Sequence, residues 1–474
     1  MTTVANPAAS APVHELDRTD IESYMISGGK VFERFFDCPL DYAKPDGQKI
    51  RVFVRHIVPL GKEGDMHKLP FMLYLQGGPG FECRFPGSVK GGWYATAISE
   101  GYQILLIDQR GTGLSTPINA GTLDAQFATA EEKADYVSQF RADNIVRDCE
   151  HVRKVLCQGR SGDSAKLALL GQSFGGFCIT TFLSMFPESI SKAFITGGVP
   201  PLVDNPDAVY QATYRRMVLR NKQYYEKYPR DVERVRNIIE YLNRTVVSMP
   251  DGGVLSPRRF QQLGLNFGFT GGFDQVHQLV LQAYQDLANS GFLSAHTLTG
   301  IASMQSFDSN PLYCIMHESI YCQGDNSSGW SAHRVREEQF SVQFEHSWDK
   351  ILVRDQGEHQ QSAVYFTGET VYPWMLDDYA ELRKLKDVAN LLAARKNWPK
   401  LYNKSTLSCN QVPVAGVSYY NDMFVEFALS EQTAESIKGF KLWVTNQYHH
   451  NGLRADPKVM QYLVSLLRGD ITDL

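Results

Sequence analysis

The sequence predicts an α/β protein in which a mostly parallel sheet forms the core and a mainly helical domain is inserted into it. Two observations lead to this prediction. Compact apolar runs alternate with stretches of helical spacing, and a long stretch with few strand patterns separates the early runs from the last two. Continuous apolar runs of this kind are typical of strands buried on both faces of a parallel sheet.

The first part of the chain is rich in strand patterns. Residues 38–59 hold two alternating runs around Pro45-Asp46-Gly47, which predicts a hairpin. Helical spacing over 131–156 between apolar runs indicates β-α-β alternation. The expected buried strands cover residues 69–75, 102–108, 166–171 and 192–198.

After residue 201 the pattern changes to amphipathic helices. Strand patterns return only near the C-terminus, so the sequence predicts a core from residues 1–202 and 403–474, with 1–20 as a flexible tail, and a helical cap domain over 203–402. The helices expected in the cap cover 207–244, 273–287, 334–344 and 375–395. The late elements are strands at 412–420 and 440–445 and helices at 431–438 and 457–467.

Composition and charge exclude several classes of protein. The 474 residues are 43% hydrophobic and 21% charged, which is typical of globular proteins. With 47 Lys and Arg against 52 Asp and Glu, the net charge of -5 gives no reason to expect nucleic acid or an anionic membrane as partner. No apolar stretch is long enough for a membrane span, and no secretory signal pattern is present, so a cytoplasmic location is expected.

The eight cysteines form no C-x-x-C pair, which disfavours zinc and thioredoxin-like chemistry. Cys314 and Cys322 are near enough in sequence to form a disulfide. In a chain without a secretory signal, however, free buried thiols are the expected state.

The strongest functional pattern is Gly171-Gln172-Ser173-Phe174-Gly175, which stands between an apolar run and a helical stretch. In the order strand, sharp turn and helix, G-x-S-x-G is typical of the nucleophile elbow of the α/β-hydrolase fold. The turn exposes the serine hydroxyl at a helix N-terminus, where the helix dipole favours developing negative charge. The alternative is a purely structural turn.

A serine nucleophile needs a histidine base and a carboxylate that orients the histidine. In this fold the chain order is serine, acid, histidine. Asp422 follows the expected strand at 412–420, and His449 and His450 follow the last strand. Asp422 and one of the two histidines therefore complete the triad. The alternatives are a helix cap for Asp422 and an ordinary polar loop for the histidines.

Two glycine-rich loops follow the first two buried strands. In the first, residues 76–80 read QGGPG, and the backbone N–H groups of Gly78 and of Phe174 are expected to form the oxyanion hole. The alternative is a tight loop that binds nothing. In the second, residues 108–115 read DQRGTGLS, and Asp108 and Arg110 are expected to pair and brace the first loop, a direct catalytic role being the alternative.

These motifs together resemble the prolyl aminopeptidase (proline iminopeptidase) family of α/β-hydrolase serine peptidases, in particular its larger type. The resemblance rests on GGPG, DQRGTGLS, GQSFGG, HESIYCQG, YFTGETVYPWM and HHNGLR, and it covers most of residues 30–460. One departure is Gln76, where the family commonly has the histidine of HGGPG. Because the expected oxyanion donor is a backbone N–H, this substitution leaves the mechanism intact.

The resemblance implies release of an N-terminal residue, preferentially proline, from short peptides with a free N-terminus. It selects His450 as the base, and it places Glu318 and Glu369 in the cap stretches that bind the substrate's amine. Tyr321 and Trp374 are expected to form, with Phe174, an apolar slot for the proline ring. The alternatives are capping or surface acids and ordinary core aromatics. No metal or organic cofactor is implied.

Two other functions remain open at this stage. An esterase, amidase or acyltransferase on the same fold would use the same triad, and only the cap acids distinguish it from a peptidase. A catalytically inactive, hydrolase-like binding protein is the alternative from another class. Epoxide hydrolysis is disfavoured, since it needs an aspartate at the position of Ser173.

Overall fold

The computed structural model describes residues 22–358 and 361–472, so the predicted tail at 1–20 lies outside it. Nine strands of the described residues form one sheet in the order β1-β2-β3-β5-β4-β6-β7-β8-β9. The strands are β1 Ser23–Ile26, β2 Gly29–Pro39, β3 Lys49–Pro59, β4 Phe71–Leu75, β5 Gln103–Ile107, β6 Leu167–Gln172, β7 Ile190–Thr196, β8 Val414–Tyr419 and β9 Phe440–Thr445.

The sheet is antiparallel at one end and parallel over the rest of its width. Strands β1, β2 and β3 pair antiparallel, and β3 meets β5 in the same sense. From β5 through β4, β6, β7 and β8 to β9, every pairing is parallel. Strands β4, β5, β6 and β8 are buried along their whole length, which explains their continuous apolar sequences. The predicted α/β fold class is confirmed.

Five helices accompany the first seven strands. The sequence predicted one helix over 131–156, but the structure has two, because the backbone is extended at Arg141. The buried guanidinium of Arg141 donates hydrogen bonds to the carbonyls of Ser319 and Cys322, so distant packing decides this break. The five helices are α1 Gly92–Ser99, α2 Ala120–Asp124, α3 Ala130–Val137, α4 Ala142–Leu156 and α5 Phe174–Met185.

The described residues between β7 and β8 add no strand to the sheet. The helix predicted over 207–244 is interrupted at Pro229, which lacks the N–H that a helix interior requires. The helices are α6 Asp207–Lys227, α7 Asp231–Arg244, α8 Pro257–Gln261, α9 Gly272–Ser290, α10 Ala295–Ser303, α11 Pro311–Ile315, α12 Ser331–Val335, α13 Trp348–Glu358, α14 Met375–Asp378, α15 Ala380–Arg383, α16 Lys386–Ala394 and α17 Lys404–Ser408. The cap boundaries at 203 and 402 stay a prediction.

Three helices complete the chain, namely α18 Phe427–Ser436, α19 Gly452–Ala455 and α20 Lys458–Arg468. Ser173 follows β6, Asp422 follows β8 and His450 follows β9. These three strands run parallel, so their carboxyl ends, where α/β sheets carry their sites, lie at the same edge.

Two expectations from the sequence concern the chain as a whole. All eight cysteines are free, so Cys314 and Cys322 form no disulfide. Across residues 22–358 and 361–472, no helix combines the length and the apolar composition that crossing a membrane requires.

Candidate active site

The turn between β6 and α5 holds Ser173 in a strained backbone conformation. Its φ of 55° and ψ of -125° are unusual for a residue with a side chain. The turn also needs glycine around it, because a Cβ built at Gly175 would lie 2.0 Å from the carbonyl oxygen of Leu75. A Cβ at Gly198 would lie 2.1 Å from the carbonyl oxygen of Ser173. This close packing fixes the elbow against its neighbours.

Ser173, His450 and Asp422 form one hydrogen-bonded chain. His450 Nε2 lies 2.8 Å from Ser173 Oγ, and His450 Nδ1 lies 2.7 Å from Asp422 Oδ2. All three side chains are buried. The order and the distances are those of a serine, base and acid arranged for nucleophilic catalysis.

Asp422 holds its position through its second carboxylate oxygen. Oδ1 accepts hydrogen bonds from the backbone N–H groups of Phe424, at 2.8 Å, and Val425, at 3.2 Å. Asp422 thus stabilises the following turn with one oxygen and faces His450 with the other. Burial by itself lowers the pKa of His450, but the Asp422 carboxylate outweighs burial, so the pKa lies above its ordinary value. The bond to the serine belongs to His450, and not to His449.

The glycine-rich loop after β4 lies against the elbow. A Cβ built at Gly77 would be 3.0 Å from the Ser173 Cβ and 3.6 Å from its Oγ. Gly78 has a φ of 134°, a conformation that side chains disfavour. Phe174 is the first residue of α5, and its N–H therefore has no acceptor within the helix. The oxyanion role of the Gly78 and Phe174 N–H groups stays a prediction.

The expected pair of Asp108 and Arg110 is wrong. Arg110 instead forms a buried bidentate pair with Asp148, at 2.6 and 2.7 Å. The carboxylate of Asp108 accepts hydrogen bonds from the backbone N–H groups of Cys83 and Leu114. Asp108 still braces the region of the first glycine loop, because Cys83 closely follows this loop in the chain.

Glu369 is a largely buried carboxylate near the triad, with a side chain 13% exposed. Its Oε1 accepts a hydrogen bond of 2.6 Å from the hydroxyl of Tyr313. Burial raises the pKa of Glu369 to about 7, although a charge on His450 would lower it. Of the basic side chains in the described residues, His317 alone lies within 4.0 Å of a Glu369 oxygen, at 3.9 Å. Burial lowers the pKa of His317 to about 4, so this neighbour is neutral near pH 7.

Comparison with known proteins places this geometry in a family. Residues 70–239 match the model of the alpha/beta hydrolase fold. The chain is 38% identical over 462 residues to a proline iminopeptidase of Aeromonas sobria, covering 97% of this chain and 99% of the relative. The chain belongs to the proline iminopeptidase family.

Two further relatives are similar to this chain, and the first of them supports this placement. A proline iminopeptidase of Aspergillus aculeatus is 39% identical over 439 residues, which cover 92% of this chain and 93% of the relative. A tripeptidyl aminopeptidase of Streptomyces lividans is 28% identical over 199 residues, 35% of each chain. The resemblance inferred from the sequence motifs is confirmed.

The departure from the usual proline iminopeptidase motif at Gln76 has a clear structural setting. Gln76 Oε1 accepts hydrogen bonds from the Tyr74 hydroxyl, at 2.8 Å, and from Arg454, at 3.1 Å. Its backbone carbonyl accepts another from the Gln109 amide, at 2.9 Å. Because Arg454 belongs to α19, Gln76 ties the glycine loop to the segment that carries His450.

Glu318, the other acid expected to bind the amine, is engaged differently. Its two carboxylate oxygens accept hydrogen bonds from the backbone N–H groups of Ser331, at 3.0 Å, and Ala332, at 2.9 Å, at the start of α12. The residue is only 4% exposed, and burial raises its pKa to about 7. In this structure Glu318 caps a helix, which is the alternative left open for it by the sequence.

The two aromatic residues expected to form the proline slot, Tyr321 and Trp374, have different surroundings. Tyr321 is buried against Phe177, with ring centroids 5.7 Å apart, and its hydroxyl is close enough to Glu369 and Asp422 for their charges to raise its pKa further. Trp374 instead stacks on Tyr372 at 5.2 Å, and Arg258 lies over its ring at 4.8 Å. These contacts place Trp374 in the packing of the inserted helices, and its role in the slot stays a prediction.

Sequence reasoning missed Tyr313 and gave no role to His317. The two rings meet edge to face with centroids 5.4 Å apart, and both lie beside Glu369. Tyr313 carries no recognisable motif, whereas His317 directly precedes Glu318 within a stretch that the family resemblance covers. Only packing shows that they form the surroundings of Glu369.

Proposed function

We propose that this protein is a serine aminopeptidase that releases the N-terminal residue, preferentially proline, from short peptides through an acyl-enzyme. The observation that carries the proposal is an acid without a cationic partner beside a complete triad. Glu369 interacts electrostatically with His450. In the described residues, the only basic side chain within 4.0 Å of its carboxylate is His317, which is neutral near pH 7. Curated proline iminopeptidases from two organisms, matched over nearly the whole chain, support the same activity.

Acylation uses the hydrogen-bonded chain directly. Ser173 Oγ attacks the carbonyl carbon of the substrate's first residue while His450 Nε2 takes the hydroxyl proton. Asp422 keeps the imidazole oriented and stabilises its charged form. The N–H groups of Gly78 and Phe174 bind the oxyanion of the tetrahedral intermediate. His450 then gives the proton to the leaving amine, and the carbon–nitrogen bond breaks.

Deacylation reverses the roles of nucleophile and leaving group. Water attacks the ester carbonyl of the acyl-enzyme while His450 takes one of its protons. The second tetrahedral intermediate collapses when the bond to Ser173 Oγ breaks, and His450 returns the proton to that oxygen. The products are the free N-terminal amino acid and the shortened peptide. No metal or organic cofactor enters these steps.

Specificity for a free N-terminus comes from Glu369. A substrate ammonium brought into a largely buried site needs a carboxylate partner, since its desolvation otherwise goes uncompensated. Within the part of the chain that the structure describes, no Lys or Arg lies within 4.0 Å of the Glu369 carboxylate, and the neutral His317 does not compete with the ammonium for it. Glu318 holds the start of α12 in place through its two backbone hydrogen bonds. Tyr321 and Phe174 are the proposed walls of the slot for the proline ring.

A panel of chromogenic amides tests the proposal. Proline, alanine and leucine 4-nitroanilides are compared with their N-acetyl forms and with a neutral 4-nitrophenyl ester, using Ser173→Ala as control. We expect the free proline amide to be the best amide substrate, its N-acetyl form to be cleaved at least about 100-fold more slowly, and Ser173→Ala to be inactive on every substrate. Equal cleavage of free and blocked amides would favour the esterase or amidase function instead. The location expected from the sequence alone is the cytoplasm.

A further inference from the structure

The backbone of His450 is held in place by a residue of the nucleophile elbow. Gln172, the last residue of β6, directly precedes Ser173. Its side-chain amide donates a hydrogen bond of 2.8 Å from Nε2 to the carbonyl oxygen of His450. The two bonded residues are 278 positions apart in the sequence, and Gln172 is only 3% exposed.

The backbone N–H of His450 is held by the segment inserted between β7 and β8. The N–H of His450 donates a hydrogen bond of 3.1 Å to the carbonyl of Gly268. The neighbouring Asn451 accepts one from the backbone N–H of Thr270 at 3.0 Å. The loop that carries the imidazole is therefore fixed at its carbonyl by the core and at its N–H by the insertion.

The Gln172 side chain has little other reason to be polar. Its Oε1 is buried and has no hydrogen-bond partner in the part of the chain that the structure describes. A buried acceptor without a partner costs free energy, which an apolar side chain of the same size would avoid. The hydrogen bond from Nε2 to the His450 carbonyl is thus the one polar contact of the Gln172 amide in the described residues.

We propose that Gln172 is a positioning residue for the catalytic base, an inference that rests on the proposed serine mechanism. Gln172 and Ser173 are adjacent at the end of one buried strand, so the nucleophile and the anchor of its base share one rigid element. Through this anchor, the distance between Ser173 Oγ and His450 Nε2 depends on the elbow itself. Asp422 orients the imidazole ring, whereas Gln172 fixes the backbone from which the ring projects.

Gln172→Met tests this role, because methionine has a similar length and no donor. Misplacement of a reacting group by about 1 Å can cost roughly 100-fold in rate. We expect kcat to fall by about 10- to 100-fold and KM to change by less than about twofold. The loss should be the same for proline 4-nitroanilide and for the neutral ester, because His450 serves both substrates.

Gln103→Met is the matched control. Gln103 is also fully buried and donates amide hydrogen bonds to the backbone carbonyls of Met66 and Leu69. It is the first residue of β5, so it lies at the end of the parallel strands opposite to the triad. Its loss should lower the Tm and leave kcat unchanged once folded protein is matched by circular dichroism.

Gln172→Glu supplies a readout that a merely structural role would not change. A protonated glutamic acid can donate to the His450 carbonyl in the same geometry, but an ionised carboxylate cannot. As pH rises through the pKa of the new buried acid, the anchor is lost. We expect the kcat of this variant to approach that of the parent protein at pH values below the pKa of the new acid. Above that pKa, the ratio of variant to parent kcat should fall.

Several outcomes would overturn the inference. They are a kcat for Gln172→Met within about twofold of the parent, a loss confined to KM, an equal kcat loss in Gln103→Met, or a Gln172→Glu profile parallel to that of the parent. Failure of the proposed function would look different. Free and N-acetylated amides would then be cleaved equally by the parent protein, and failure of the serine mechanism itself would leave Ser173→Ala active and the parent protein resistant to a serine-directed organophosphonate.

Discussion

The hydroxyl of Tyr313 donates a hydrogen bond of 2.6 Å to Oε1 of Glu369. The backbone of the same tyrosine packs on the glycine loop, where a Cβ built at Gly80 would lie 2.6 Å from the Tyr313 nitrogen. Its ring also meets Phe81 edge to face, with centroids 4.9 Å apart. One residue thus connects the loop proposed to bind the oxyanion with the acid proposed to bind the amine. These two sites must be one amino acid apart in an aminopeptidase.

Tyr313→Phe should weaken recognition of the substrate's amine without impairing the chemistry. The variant loses a hydrogen bond to a carboxylate, worth about 1.5–3 kcal/mol, and with it a contact that lowers the pKa of Glu369. We expect kcat/KM for proline 4-nitroanilide at pH 7 to fall by about tenfold or more, mainly through KM, while the neutral ester is unaffected. Tyr42→Phe, which removes a comparable bond to Asp148, is the control. Equal losses on amide and ester would contradict the prediction.

Glu369→Gln and Glu318→Gln should behave differently. Removing the charge of Glu369 leaves the buried ammonium unpaired, so we expect kcat/KM for free-amine amides to fall by about 100-fold and the neutral ester to be hydrolysed normally. Glu318→Gln keeps one acceptor for two backbone N–H groups and should lower the Tm. Its residual activity should change equally on both substrates. A free-amine-specific loss in Glu318→Gln would instead give Glu318 a direct role in binding the amine.

The two adjacent histidines should differ sharply in their contribution to catalysis. His450→Ala removes the base and should reduce kcat by at least about 1,000-fold on every substrate. His449→Ala should be weakened by less than about tenfold, since its ring does not bond to the serine. Steady-state kinetics of the two folded variants, measured side by side, decide this point. A His449→Ala variant as inactive as His450→Ala would contradict the assignment of the base.

The pH dependence of kcat/KM should differ between substrates. His450 must be neutral to accept the serine proton, and its pKa is raised, so activity is lost as pH falls through a value above 6.5. Glu369 must be ionised to bind an ammonium, and its pKa is about 7. Below these values, log kcat/KM should rise with a slope approaching 2 for proline 4-nitroanilide, because two protons must leave.

The neutral ester isolates one of these two titrations. It needs only the neutral His450, so its acidic limb should have a slope of 1. The Glu369→Gln variant should show a slope of 1 on both substrates, because only His450 then titrates. Identical slopes of 1 for amide and ester in the parent protein would show that ionisation of Glu369 is not required for amide cleavage.

The sequence alone predicted the core strands and the order of the triad residues. Strands β4, β5, β6 and β8 are buried throughout, and burial on both faces requires the continuous apolar runs that are visible in the sequence. Part of the elbow at Ser173 is equally local, because a Cβ built at Gly171 would lie 2.5 Å from the carbonyl carbon of Gly175. These features depend on residues close together in the chain, which is why their pattern is readable.

Partners of charged and aromatic side chains were decided by the tertiary structure. Arg110 pairs with Asp148 and not with Asp108, and Glu318 caps α12. Tyr313 reaches Glu369, and Gln172 reaches His450, across long stretches of sequence. Such choices depend on which segments pack together, and that packing is the sum of many weak contacts spread over the whole fold. The spacing of residues in the sequence does not show which distant segments pack together. Local turns and buried strands, by contrast, can be predicted from patterns of a few neighbouring residues.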